Sequence, residues 1–90
     1  MKCAVVVFVY NGKESKEYYY KIEEHLEKAL SPDEFVIVES AKNIYGIGVF
    51  KRVDNVVDKQ TLDIVTKEVV QDTGLYYTPE DEEQAITDLF

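Results

Sequence analysis

The sequence predicts a small, mostly β (α+β) domain: an SH3-like five-stranded barrel, a short helical turn near residues 23–30 and a C-terminal helix. Three observations point there. The apolar run from Cys3 to Tyr10, CAVVVFVY, is dominated by valine and aromatic residues, which favour strands. It ends at Asn11-Gly12, a dipeptide suited to the positive φ angles of a tight hairpin turn. The stretch from Phe35 to Val53, FVIVESAKNIYGIGVFKRV, reads as two strands about a short polar connection. Gly46 and Gly48 fall inside the second of these, where glycine marks a bulge, a bend or a close backbone approach. A bent hairpin of that kind turns the corner of a small closed barrel.

The elements follow in order. Cys3 to Tyr10 is the opening strand. Residues 17–22, EYYYKI, carry three consecutive tyrosines and read as a strand pairing back onto the first, followed by a helical turn at 23–30. Tyr19, Ile22, Leu26 and Leu30 also fall at helical spacing. The alternative is therefore one continuous helix over 14–30, and with it a ferredoxin-like β-α-β-β-α sandwich. Ser31-Pro32-Asp33 breaks whichever element precedes it, because proline cannot continue a ladder and restricts its predecessor. Phe35 to Val38 and Ile44 to Val53 form the central hairpin, and 54–61 is a polar connection. Residues 62–70, LDIVTKEVV, fit a strand or a short helix; the β-branched Thr66, Val69 and Val70 favour strand, with Gly74 ending the element. Thr78-Pro79-Glu80-Asp81 is a helix start: a threonine cap, proline at the first helical position, then acids at the positive helix end. That helix would run from Pro79 to about Leu89 and bury Ala85, Ile86 and Leu89.

Ninety residues make one domain, 1–90, with a β-rich core over 3–77 and an acidic C-terminal helix over 79–90. The hydrophobic content of 46% is that of a folded protein. The formal net charge is −8 and unevenly spread: five of the eighteen acids and none of the ten bases lie in 79–90. So acidic a surface repels phosphate and anionic lipid, which argues against direct nucleic-acid binding and against a membrane surface, and suits a protein partner with a basic surface. One cysteine, Cys3, allows no internal disulfide; with no signal peptide visible, a reducing cytoplasmic setting is expected.

The order of these motifs resembles small phage-encoded proteins of unknown function. Their pattern is a YxYK strand, a turn ending in Gly-Asp, a VVV strand, and a glycine-containing strand ending KVxxV. Tyr18 to Lys21, Pro32-Asp33, Val36 to Val38 and Tyr45 to Val53 take those places, with Pro32 where the pattern has glycine. Less closely, the pattern is similar to the small β-barrel domains at the N-termini of primosomal helicases. The resemblance implies an SH3-like barrel and a phage or prophage origin; it carries no catalytic residues.

Candidate chemistry is sparse. His25 lacks a sequence-adjacent partner that would face it on a helix, so it reads as a surface histidine. Cys3, inside an apolar strand, reads as a core residue. Gly46-Ile47-Gly48 lacks the third glycine of a dinucleotide loop, Lys51 standing in its place, and Lys51-Arg52 is too small for a nucleic-acid footprint. No metal-loop or HExxH spacing is present. The expectation is therefore no enzyme, no cofactor and no metal. Among the tyrosines, cross-strand packing competes with a protein-binding surface. Candidate binding residues are Tyr18, Tyr20 and Tyr45, with Glu80, Asp81, Glu82 and Glu83. The expected function is that of a non-enzymatic accessory factor acting by protein–protein contact; the alternatives are an acidic mimic of nucleic acid that occupies a basic groove and, last, a small enzyme. A homodimer through an open strand edge or the Ile86/Leu89/Phe90 face is also compatible with the sequence.

Overall fold

The computed structural model describes residues 1–78. In chain order the elements are β1 (Lys2–Val7), β2 (Val9–Tyr10), β3 (Lys13–Glu14), β4 (Tyr18–Lys21), α1 (Glu24–Ala29), β5 (Glu34–Ala41), β6 (Ile44–Asn55), α2 (Lys59–Ile64) and β7 (Val69–Tyr76). The main sheet has five strands in the order β4-β1-β6-β5-β7, every neighbouring pair antiparallel; β2 and β3 form a separate ribbon. The C-terminal helix expected over 79–90 lies outside the described residues.

The opening run folds as a strand but breaks at Phe8. Beyond it, Asn11 and Gly12 have φ of 53° and 74°, the turn the dipeptide predicts, and they fold Tyr10 back onto Lys13. Ser15 holds the seam: its Oγ accepts the Phe8 N–H at 2.9 Å, and its N–H donates to the Phe8 carbonyl at 2.7 Å. The three tyrosines then pair with β1, Tyr18 with Val6, Tyr19 with Val5 and Tyr20 with Ala4. The continuous helix over 14–30, and the sandwich that depends on it, are thereby set aside. Cross-strand packing of aromatic against β-branched side chains outweighs the helical spacing of Tyr19 and Ile22. The helix that does form, α1, has six residues and contributes Leu26 to the core.

β1 is buried on both faces, Cys3 to Val6 being fully covered. Its inner side chains, Ala4 and Val6, join Tyr20, Leu26, Val36, Val38, Phe50 and Val69 in the largest core cluster. On β6 the inner positions opposite Val38 and Val36 are Gly46 and Gly48. A methyl at Gly48 would overlap Val6 Cγ1 and come within 3.3 Å of the Phe8 ring and the Val7 carbonyl; a methyl at Gly46 would meet nothing within 4 Å. Gly48 is thus a close-approach glycine where the sheet curls over Val6 and Phe8.

The sheet curls without closing, so the closed barrel is not what forms. β4 and β7 remain its outer strands, joined at one end by a single parallel bridge between Lys21 and Glu68, where the Lys21 N–H donates to the Lys67 carbonyl at 2.8 Å. The bridge joins the last residue of β4 to the residue just before β7, so the two strands meet only at their tips. Beside the rest of β4 run Ile64, Thr66 and Lys67.

A second correction concerns residues 62–70. Asp58 caps a helix, its carboxylate accepting the Thr61 N–H at 3.1 Å and the Thr61 hydroxyl at 2.7 Å, so 59–64 are helical and the strand starts only at Val69. Gly74, at φ 72°, does not end the strand but sits within it, beside the shift in register between Glu34 and Val36.

Candidate interaction face

The outer face of the sheet is covered in three places. At the Cys3 end, Val56, Leu62 and Val65 of the α2 region pack on Cys3 and Tyr19. Burial there pushes the Cys3 thiol above its ordinary pKa. In the middle, Arg52 is in register with Val5, and its guanidinium forms a fork on Glu17, with Nη1 to Oε2 at 2.6 Å and Nη2 to Oε1 at 3.0 Å. Its Nε donates to Asp54 at 3.0 Å. These hydrogen bonds, to Glu17 first and Asp54 second, hold the guanidinium proton more tightly, and the same contact lowers the Glu17 pKa. At the other end Val7, Val49 and Phe35 pack under Tyr77, whose ring meets Phe35 edge-on at 6.1 Å.

Beyond Tyr77 no described residue covers this face. On β5 and β6 the next outward pair is Ile37 with Ile47, followed by Glu39 with Tyr45. Val49 is 1% exposed, but Ile47 is 65% and Tyr45 58% exposed. Tyr45 also lines a groove of about 420 Å³ with Leu26, Val69, Val70 and the carboxylates Glu23, Glu39 and Glu68. Glu39 Oε1 accepts the Glu68 N–H at 2.9 Å, which fixes that side of the groove.

The structure separates the sequence-predicted binding residues. Tyr20 is 8% exposed and packs in the inner core; burial, then the neighbouring Tyr18, raises its phenol pKa. Tyr18 stands 39% exposed at the rim of the inner face, its ring 5.7 Å from Phe8 and under the Lys16 ammonium at 5.1 Å. It is level with Val6 and Phe50, about 16 Å of strand from Tyr45, so the two do not share a patch. Glu80, Asp81, Glu82 and Glu83 lie outside the described residues. Ile47 escaped notice in the sequence because Gly46-Ile47-Gly48 draws attention to its glycines; the strand alternation that turns both glycines inward turns Ile47 outward.

The charged groups are arranged for structure. Lys51 binds Asp33 at 2.9 Å and also Glu14; burial alone would lower its pKa, but those hydrogen bonds outweigh burial and raise it. The Lys51-Arg52 pair is thereby neutralised. Glu34, 2% exposed, accepts the N–H of Ser31 at 3.2 Å and of Gly74 at 3.1 Å, tying the turn before β5 to the irregular stretch of β7. His25 Nδ1 lies 3.2 Å from Glu23 because Glu23 sits extended at the helix N-cap, a pairing that sequence adjacency on a helix does not suggest; both side chains are exposed. A groove of about 450 Å³ between α1 and the N-terminus is lined by both signs, and Lys2–Glu27 (3.1 Å) bridges it. Among the described residues no three His, Cys, Asp or Glu side chains are placed to hold a metal ion, and no helix is long and apolar enough to cross a membrane. No protein-family model, curated protein or solved structure matches the chain.

Proposed function

We propose that the chain is a non-enzymatic binding protein that acts by protein–protein contact, a cytoplasmic accessory factor of phage or prophage origin. Its curled sheet is read as an SH3-like barrel left open along the seam between β4 and β7. The observation that carries the binding reading is the outer face of β5 and β6, where, among the described residues, Ile47 and Tyr45 stand exposed beside a fully covered Val49. The excess of acids over bases favours a basic partner. The test is affinity capture from host lysate with the full chain as bait. The reading expects a partner that is retained at low salt and released at high salt; the return of no salt-sensitive partner counts against it.

A second reading is kept because five acids and no base fall within residues 79–90. In it the chain mimics nucleic acid and blocks a DNA- or RNA-binding protein. Replacing Glu80, Asp81, Glu82 and Glu83 with lysine abolishes inhibition of such a target if this reading holds; inhibition that survives the reversal rules it out.

A further inference from the structure

We propose that a strip left exposed among the described residues, Tyr45, Ile47 and Val70 with the half-buried Ile37 between them, is the docking surface for a lysine- or arginine-bearing segment of another protein. The inference rests on the protein-binding reading and names its surface and the chemistry of its partner.

The strip stands out by contrast with its own sheet. Followed along β6, the outward positions pass from Arg52, forked on Glu17, to Val49 under Tyr77, then to Ile47 and Tyr45, which nothing covers among the described residues. A cross-strand Ile37–Ile47 pair steadies the hairpin, and that is its structural role. Steadying a hairpin does not require a tyrosine 58% exposed next to it, nor Val70 exposed on the far side of the same groove. A row of apolar side chains of this kind along a sheet is what a partner segment covers.

Charge selects the occupant. The carboxylates of Glu14, Glu17, Glu24, Glu27, Asp33 and Asp54 each meet a lysine or arginine within the chain. Glu39 and Glu68, at the strip's edge, have no such cation among the described residues, and the neighbouring Lys67 places its ammonium on the Ser40 carbonyl. A cation supplied from outside finds two carboxylates and the face of Tyr45 together. A second copy of the chain would bring the same acids to the same place, against a net charge of −8 on each.

The test uses the full chain, isotopically labelled, titrated with a short lysine-rich lysine–leucine peptide and with its glutamate–leucine counterpart, while amide signals are followed by NMR. Perturbations centred on Ile37, Tyr45 to Ile47 and Glu68 to Gln71, from the lysine peptide alone and weakened by salt, support the proposal. Ile47→Thr, which keeps a β-branched residue in the strand, and Tyr45→Ser then each weaken binding about tenfold. Glu39→Gln, which retains an acceptor for the Glu68 N–H, and Glu68→Gln flatten the salt dependence. Perturbations centred elsewhere overturn the proposed surface and leave the binding reading standing. No perturbation by the lysine peptide, or equal response to the glutamate peptide, overturns the basic partner. A dimer in sedimentation of the chain alone, dissociated by Ile47→Thr, assigns the strip to a second copy and overturns the proposal as well. A host partner captured equally well by wild type and by Ile47→Thr defeats this surface but not the function.

Discussion

Gly48 is the position where a single methyl decides the most. It stands on the inner face of β6 against Val6, Phe8 and the Val7 carbonyl, and the side chain it meets first belongs to the fully buried β1. Gly48→Ala is expected to destabilise the fold by about 1–3 kcal/mol through overpacking. Gly46→Ala, facing open space, stays within about 0.5 kcal/mol of wild type. Parallel thermal melts check both; equal melting points would contradict the close approach. Glu34 makes a different kind of demand. Its buried carboxylate satisfies two backbone N–H groups, and Glu34→Ala leaves both without a partner at a cost of about 1–3 kcal/mol. Urea unfolding measures that loss directly, and an unchanged midpoint would show that water replaces the carboxylate freely.

At the scale of elements, β4 and α2 show what was readable in the sequence and what was not. The tyrosine strand was legible because Asn11-Gly12 fixes a hairpin and three tyrosines follow within its reach; the structure pairs them residue by residue with Val6, Val5 and Ala4. The helix at 59–64 was not, because its start depends on one side-chain cap, Asp58 on Thr61, inside a stretch whose β-branched residues belong to the strand that follows. The seam between β4 and β7 was equally out of reach: where the two outer strands meet is set by the register of every strand pair between them. Of the candidate site, Tyr45 was visible as an aromatic in a strand, but burial separates it from Tyr20 only once the register is known. The Arg52 fork joins β6 to the residue before β4 across β1 and carries a pH signature. The Glu17 pKa is lowered from 4.5 in the folded chain. The stabilisation it contributes is therefore present above pH 4.5 and is lost as pH falls through the depressed value. The difference in melting temperature between wild type and Glu17→Gln is expected to be largest near neutrality and to shrink as pH falls through the depressed Glu17 pKa, below 4.5. A difference that holds constant down to pH 2 would show that the fork contributes nothing through its charge.

For the whole molecule, the division of one sheet into covered and uncovered parts is the feature that links fold to function. The inner face is filled by side chains of all five strands of the main sheet and by Leu26. On the outer face α2 covers the Cys3 end, the Arg52 fork the middle and Tyr77 the Phe35 end, so that among the described residues Ile47 and Tyr45 stay exposed. The most direct measurement is site-directed photo-crosslinking in the native host, with a benzophenone amino acid placed at Ile47 in one variant and at Tyr10 in another. Tyr10 is the right comparison because it is more exposed still, at 81%, but sits on the separate β2–β3 ribbon. The prediction is a discrete protein adduct from position 47 and none from position 10. An adduct from position 10 alone, or none from either, would contradict it.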